Sequence, residues 1–308
     1  MAGVNDPVFR RICKRFGADL TYSEMVSAVG LSYQSTRSND LLYADTSEKP
    51  FAIQIFGKDA DVLARQAALI EQRCSGDLAL IDINMGCPTR KIAGKGEGAA
   101  LMRNLALAES IIRSVVAAVD LPVTVKFRRG FEHDNEIALE FARMAESAGV
   151  AAVAVHGRYA EQQYGGIADK TLIGRVKRVV DIPVIASGDV FSVDDVLNYL
   201  NRQNADAVMV ARGAQGNPWI FAQAKAAVAK NHQEQQSEVT LQDRVDVARE
   251  HLIGLNQLFP QRLPSMRKHF AWYFKGIENA TEIRRQVNKC IQLDDYLLLL
   301  DRVETGMI

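Results

Sequence analysis

The feature that most constrains the fold of this chain is an alternation of short apolar runs with longer amphipathic segments through its first two thirds. Seven short runs resemble β-strands, at 20–25, 51–55, 80–84, 123–127, 152–156, 184–187 and 207–211. Helical patterns separate them, for example at 60–74, 105–119, 136–148 and 193–200. Strands that alternate with helices predict βαβ units and a parallel sheet.

Two parallel architectures fit this alternation. A TIM (β/α)8 barrel needs eight strands, so we expect its first strand to be missing or truncated here, through a mis-assigned start or a trimmed terminus. Residues 1–4 would then be the turn after that strand, and Asp6-Pro7 would open a helix at 7–16. A doubly wound open sheet is the alternative fold. The phosphate-binding signals described below favour the barrel.

Composition indicates a globular protein and excludes several classes. Apolar residues make up 48% of the 308 residues and charged residues 24%, which is enough for a large core. No apolar run is long enough to span a membrane, and the N-terminus lacks the layout of a signal peptide. The four cysteines are far apart, without CxxC spacing, which argues against a disulfide framework and against a metal site. We therefore expect a cytoplasmic protein without a metal.

The last quarter of the chain shows helical patterns only, at 241–258, 264–275, 280–290 and 294–303. We predict a barrel domain at 1–230, a polar linker at 231–240 and a small all-α domain at 241–308. The whole chain has zero formal net charge, but 262–289 carries seven Lys/Arg against two acids. This segment is therefore locally basic.

A thiol follows the third predicted strand. The apolar run ends at Asn84-Met85-Gly86-Cys87-Pro88, and a glycine-rich loop with Arg90, Lys91 and Lys95 comes next. A thiol at the carboxyl end of a strand, beside a basic loop, suggests a reactive site. The alternative is that Cys87 is a small buried apolar residue, which is the commoner role of a free cysteine.

Two later strands end in loops that suit a phosphate group. The loops contain Ser187-Gly188-Asp189 and Ala211-Arg212. In (β/α)8 enzymes the loops after the last two strands commonly bind phosphate, and the Arg212 guanidinium suits a phosphate dianion. Ordinary strand-end turns are the alternative.

Other strands also end in polar residues, namely Gln54, Lys126 and His156. Together with Asn84 and the phosphate loops they would converge on one face and suggest flavin mononucleotide (FMN) as cofactor. Lys126 would stabilise the N1/O2 edge of the reduced ring, and Gln54 would bond to its pyrimidine edge. Taken singly, a strand-end lysine or histidine is more often structural.

The basic helical segment suggests an RNA partner. Arg267, Lys268 and Lys275 alternate with aromatic residues, and a second group of cations lies in the loop at 90–95. Such surfaces bind the RNA backbone. The alternative is that the aromatic residues form a core and the cations a solvated face.

Several motifs together resemble the tRNA-dihydrouridine synthase family. They are MAGVNDPVFR, FAIQIFG, DINMGCPTRKIAGKGEGAALM, VTVKFRRG, AVHGR, IPVIASGDV and VMVARGAQGNPWIF, and RKHFAWYFKG resembles the bacterial B-type branch. The resemblance spans nearly the whole chain in motif order. It implies an FMN-binding TIM barrel with a helical domain that grips tRNA, and reduction of the uridine C5=C6 bond with NADPH.

The resemblance also implies roles for individual residues. Cys87 matches the residue that gives a proton to uracil C5 while hydride from flavin N5 reaches C6, and a thiol with the usual pKa of about 8.5 is a suitable acid at neutral pH. The remaining matches are flavin contacts at Met1, Ala2, Gln54, Lys126 and His156, phosphate contacts at Ser187, Gly188, Asp189, Ala211 and Arg212, and uracil contacts at Asn84 and Arg158. The family has a proline and a full strand before the Met-Ala-Gly turn, which this sequence lacks.

Two other functions fit parts of the sequence. An FMN barrel acting on a free pyrimidine, in the style of dihydroorotate dehydrogenases, has no need of the basic helical segment. A non-catalytic RNA-binding protein has no need of Cys87 or of the flavin motifs. We expect the tRNA-modifying oxidoreductase, acting as a monomer.

Overall fold

The computed structural model describes residues 1–74, 76–229 and 238–308. Its strands are β1 (Thr21–Ser27), β2 (Phe51–Phe56), β3 (Leu78–Met85), β4 (Val123–Gly130), β5 (Ala152–Tyr159), β6 (Val184–Ser187) and β7 (Ala207–Met209). Each of the seven predicted strands is confirmed. Much of the predicted linker at 231–240 lies outside the described residues.

The described helices follow in chain order. They are α1 (Pro7–Arg15), α2 (Ala28–Ser32), α3 (Thr36–Asp40), α4 (Ala60–Arg73), α5 (Arg90–Ala93), α6 (Leu105–Ala118), α7 (Ala138–Ser147), α8 (Thr171–Lys177), α9 (Val193–Leu197), α10 (Ile220–Val228), α11 (Leu241–Leu258), α12 (Met266–Tyr273), α13 (Ala280–Val287) and α14 (Leu293–Glu304). No described helix is long and apolar enough to cross a lipid bilayer.

The strands form one parallel sheet in the order β1-β2-β3-β4-β5-β6-β7. Strand order therefore follows chain order without the reversal that defines a doubly wound sheet. The doubly wound alternative is wrong, and the curled parallel sheet with its helices agrees with the predicted barrel class. In such folds the loops at the carboxyl ends of the strands carry the active site.

Two compact units make up the chain, and both include segments distant in sequence. The sheet unit contains Met1–Ala2 and Leu20–Arg212, and the helical unit contains Gly3–Asp19 and Gly213–Ile308. In the sheet unit, the strands bury apolar residues such as Ile53, Ile83 and Val125 with no solvent exposure. Burial of this kind stabilises the fold by roughly 1.5–3 kcal/mol for each side chain.

In the helical unit, α1 shares a core with α11 to α14. Val8 and Ile12 of α1 are fully buried among residues such as Leu252 and Phe270. Asp6 begins this helix, because its side chain accepts a hydrogen bond of 3.0 Å from the Phe9 amide. The helical unit therefore includes a helix that lies far from the others in the sequence.

Candidate active site

Strand register brings the polar strand-end residues together. Three rows of aligned partners cross the sheet: Gln54, Asp82 and Thr124; Asn84 and Lys126; and Arg128, His156 and Ser187. Aligned residues on neighbouring parallel strands project to the same side of the sheet, so their side chains can bond to one another. This register places the polar residues of neighbouring strands side by side, as the predicted convergence requires.

A hydrogen-bonded chain of side chains runs across β2 and β3. Gln54 Nε2 donates to Asp82 Oδ2 at 2.6 Å, and Asn84 Nδ2 donates to Gln54 Oε1 at 2.8 Å. Thr124 Oγ1 donates to Asp82 Oδ1 at 2.6 Å. Burial raises the pKa of Asp82 to about 6, although these hydrogen bonds from Thr124 and Gln54 act in the opposite direction. No role was predicted for Asp82, because its only signal in the sequence is an acid inside an apolar run.

The turn that carries Cys87 is held from three sides. Asn84 Oδ1 accepts hydrogen bonds from the amides of Gly86, at 3.1 Å, and Cys87, at 2.9 Å. The Cys87 carbonyl accepts from the Ala99 amide at 3.0 Å, and Thr89 Oγ1 lies 3.3 Å from Cys87 Sγ. The half-buried thiol is therefore held in a defined turn at the end of β3.

Arg128 also supports this turn, a role that was not predicted from the sequence. Its Nε donates to the Gly86 carbonyl at 2.8 Å, and its Nη1 donates to the carbonyls of Tyr159 and Gln163 at 3.0 and 3.1 Å. Burial lowers the pKa of Arg128 to about 10, and it remains a cation at neutral pH. Its position two residues after Lys126 on β4 was the available signal.

The middle of the site is electropositive. Burial, followed by the charge of Arg128, lowers the pKa of Lys126 to about 8. Burial lowers the pKa of His156 well below its usual range, and the cations Lys126, Arg128, Arg158 and Arg212 lower it further. His156 is therefore neutral, and its Nε2 accepts from Arg158 Nη1 at 3.4 Å. Four cations around a neutral imidazole favour an anionic ligand.

Arg158 and Arg212 share the carboxylate of Asp189. Arg158 binds it through both Nη atoms at 2.7 Å, and Arg212 Nη2 donates to Oδ1 at 2.9 Å. Arg158 also donates to the carbonyls of Gly165 and Gly166 and is only 2% exposed. The described contacts of Arg158 thus lie within the protein, and its contact with uracil stays a prediction.

Gly188 lies between Ser187 and Asp189 and packs tightly against His156. Its φ is +114°, and a Cβ atom there would lie 2.7 Å from His156 Cδ2. Only glycine fits both the backbone angle and the space. The loop after β6 therefore brings main chain close to the cationic centre, as a phosphate-binding loop requires.

Two exposed aromatic rings flank Arg212. The guanidinium carbon lies 4.4 Å from the ring centre of Tyr164 and 5.2 Å from that of Phe191. These rings are 55% and 51% exposed. Stacking on aromatic faces orients a guanidinium, so Arg212 is held by Asp189 and by both rings. Neither ring carried a strong sequence signal.

The other site residues predicted in the sheet unit are the cations after Cys87, the first two residues and Ala211. Arg90, Lys91 and Lys95 are exposed around α5, and Lys58 Nζ donates to the Lys95 carbonyl at 2.9 Å. Met1 and Ala2 belong to the sheet unit, with Ala2 exposed, and Ala211 is half-buried.

The three predicted RNA contacts belong to the helical unit and differ in exposure. Lys275 is exposed and Lys268 half-buried, whereas Arg267 Nη2 donates to the Cys290 carbonyl at 2.8 Å. Within the described residues, Arg267 Nε is buried without a hydrogen-bond partner. Arg267 is therefore bonded within the helical unit, and its role in RNA binding stays a prediction.

One buried group in the helical unit combines potential metal ligands, a combination that cysteine spacing did not reveal. Donor atoms of Asp6, His251 and His269 lie within 4.8 Å of one another. His251 Nε2 is 3.0 Å from Asp6 Oδ2, and its Nδ1 is 2.9 Å from Tyr273 Oη. Hydrogen bonds already link Asp6 and His251 to their neighbours, so this group joins α1, α11 and α12 as a buried polar network.

Known proteins of one family match this sequence over nearly its whole length. A family model described as dihydrouridine synthase matches residues 1–305. The chain is 36% identical over 296 residues to tRNA-dihydrouridine synthase B of Pseudomonas aeruginosa, covering 96% of this chain and 88% of that protein. It is 37% identical over 293 residues to the probable tRNA-dihydrouridine synthase of Rickettsia conorii, covering 94% and 86%. Both relatives are therefore matched over most of their length.

Solved structures resemble the chain more distantly. Histamine dehydrogenase from Rhizobium sp. 4-9 superposes with a TM-score of 0.53 at 11% identity, over 80% of this chain and 46% of that one. An amine oxidase from Pseudomonas geniculata N1 gives a TM-score of 0.54 at 13% identity, over 73% and 45%. This likeness concerns the fold alone.

Proposed function

The chain belongs to the dihydrouridine synthase family, and from that membership we propose that it reduces uridine in tRNA to 5,6-dihydrouridine. The observation that carries the proposal is the half-buried Cys87 thiol, held by Asn84 at the end of β3 in an electropositive part of the sheet. We further propose that the enzyme is cytoplasmic and acts as a monomer on tRNA.

The residues of this site fit FMN as cofactor. In the described residues, Lys126 Nζ has no hydrogen-bond partner, although β4 presents it among polar groups. Such an ammonium suits the anionic edge of a reduced flavin ring. Arg212 and the loop at Gly188 suit its phosphate. When bound, FMN reduced by NADPH would supply hydride to C6 of uracil.

The protein's own groups would complete the reaction. Adding hydride at C6 leaves negative charge at C5, and Cys87 Sγ gives its proton to that carbon as a general acid. Gln54 and His156 would contact the flavin ring, and the second N–H of Asn84 Nδ2 would face the uracil. Hydrogen bonds from the protein itself hold the turn of Cys87, which lowers the cost of orienting the acid.

A partner with a phosphate backbone fits the exposed cations of both units. Arg90, Lys91 and Lys95 are exposed beside the Cys87 turn, and Lys275 is exposed on the helical unit. An enzyme for a free pyrimidine has no use for these cations. Activity on tRNA and none on uridine or uracil would therefore support our proposal over the small-molecule alternative.

The test separates the two half-reactions of the purified enzyme. Flavin reduction by NADPH should be normal in Cys87→Ala, whereas reoxidation by tRNA should slow by about 10²–10⁴-fold, the usual contribution of general acid catalysis. Cys74→Ala is the matched control, because Cys74 is also half-buried but lies at the end of α4. Parental reoxidation by tRNA in Cys87→Ala would refute the role of Cys87, and no reoxidation of the parental enzyme by any tRNA would refute the proposed function.

A further inference from the structure

A series of hydrogen bonds links Asp82 through Gln54 and Asn84 to the Cys87 turn, and each bond in this hydrogen-bonded chain has a fixed direction. An ionised carboxylate only accepts, so Asp82 turns the Nε2 of Gln54 toward itself. Gln54 Oε1 then faces Asn84 and receives its Nδ2. This leaves Asn84 Oδ1 to accept from the amides of Gly86 and Cys87.

Reversing any amide in this chain would bring two donors or two acceptors together. Asp82 is fully buried, Gln54 is 7% exposed and Asn84 is 6% exposed, so water has little access to relieve such a conflict. An unsatisfied buried polar group destabilises the folded state. Thr124 does not set the direction, because a hydroxyl both donates and accepts.

We propose that Asp82 is a positioning residue that sets the orientation of the Gln54 and Asn84 amides and thereby holds the Cys87 turn in the geometry needed to deliver a proton. The inference rests on the proposed role of Cys87 as the proton donor. Stability alone gives a weak reason for a carboxylate here, because removing an ionised group from water is unfavourable.

Reversing the polarity of the chain tests this inference. Asn84→Asp keeps acceptors for the Gly86 and Cys87 amides but replaces the donor that faces Gln54 Oε1. Gln54 must then turn round, which brings its oxygen against the Asp82 carboxylate. Adding Asp82→Asn supplies a donor at position 82, so both links through Gln54 can form again in the opposite direction, while the Gly86 and Cys87 amides still donate to residue 84. The double variant also has the parental net charge.

Three measurements are needed on each variant: reoxidation of the reduced flavin by tRNA, alkylation of Cys87 followed by mass spectrometry, and thermal unfolding of the flavin-free protein. We expect Asn84→Asp to slow reoxidation by up to about 100-fold, the usual effect of misplacing a reacting group by about 1 Å. Its Cys87 alkylation rate should change and its melting temperature should fall. The double variant should move the alkylation rate and the melting temperature back toward the parental ones, whereas its reoxidation rate also reflects loss of the uracil contact proposed for Asn84. Asp61→Asn, on an exposed acid in α4, is the control for a carboxylate-to-amide change.

The outcomes separate positioning from simple stability. If the double variant regains its melting temperature but not its Cys87 alkylation rate, Asp82 supports the fold and does not position Cys87. An unchanged Asn84→Asp, or a double variant no better than the single, also overturns the inference. If the parental enzyme does not act on tRNA, the proposed function fails, while alkylation and unfolding of the flavin-free protein still test the hydrogen-bonded chain.

Discussion

Gly98 offers a sharp test of how tightly the Cys87 turn must be held. Its φ is +59°, and a Cβ atom would lie 2.8 Å from the Cys87 carbonyl oxygen and 3.1 Å from Cys87 Cβ. Gly98→Ala therefore adds a methyl group against the backbone of Cys87, which is not free to move because the Asn84 side chain and the Ala99 amide bind it.

The expected destabilisation of Gly98→Ala has two parts. An L-residue in the left-handed region costs roughly 1–2 kcal/mol, and overpacking typically costs about 1–3 kcal/mol more. Gly96→Ala is the matched control, since its φ of +80° brings the same backbone cost but its Cβ would meet only the flexible end of Lys58, at 3.6 Å. The difference in unfolding free energy between the two variants thus measures the overlap with Cys87 and its neighbours.

The assay combines denaturant unfolding with stopped-flow measurement of both half-reactions. Gly96→Ala should be modestly destabilised and keep both rates. Gly98→Ala should be more strongly destabilised, reduce its flavin normally and slow by up to about 100-fold in reoxidation by tRNA. If the two variants reoxidise at the same rate, displacement of the Cys87 turn does not limit proton delivery, and our interpretation of the loop is wrong.

Three further predictions concern the cofactor, pH and RNA. Arg212→Ala should lose a charge-assisted contact worth about 1.5–3 kcal/mol and purify with less flavin than the exposed control Arg202→Ala, as measured by flavin absorbance per protein. Burial raises the pKa of Asp82 in the folded state from 3.8 to about 6, so the contribution of Asp82 to stability falls as pH rises between these values. Asp82→Asn should remove this fall in thermal unfolding of the flavin-free protein. An unchanged dependence of the melting temperature on pH would contradict this prediction. Combined alanine replacement of Lys91, Lys95 and Lys275 should weaken tRNA binding. It should also flatten the slope of log binding constant against log salt concentration by about 0.7–0.9 per lost phosphate contact. An unchanged slope would mean that these lysines form only a solvated face.

Most strands were predictable because they are apolar runs that end at a polar or glycine residue. The segments at 51–56 and 123–130 illustrate this, since both begin at the residue that the sequence indicated. Two short helices, Ala28–Ser32 and Thr36–Asp40, were missed because five residues do not establish a helical period. Short elements of this kind depend on contacts that are distant in sequence.

The sequence predicted which residues lie in the site better than it predicted which groups they bond to. Gln54, Asn84 and Lys126 were visible as polar strand ends, but the link through Asp82 depends on strand register, which one sequence does not state. Arg158 was expected near the substrate, which stays a prediction, but its bonds to Asp189 and to two carbonyls were not foreseen. An arginine beside a strand end gives no sign of which carboxylate will reach it.

The membership of α1 in the helical unit has a consequence for synthesis on the ribosome. Val8 and Ile12 emerge early, but their partners in α11 to α14 emerge only after the sheet strands have been made. The apolar side chains of α1 therefore lack their native packing partners during most of translation. A nascent chain stalled before residue 241 should expose α1 to a protease or a chaperone, while the completed chain buries Val8 and Ile12 and joins Asp6 to His251. The accessibility of α1 should therefore end only when the last quarter of the chain has been synthesised.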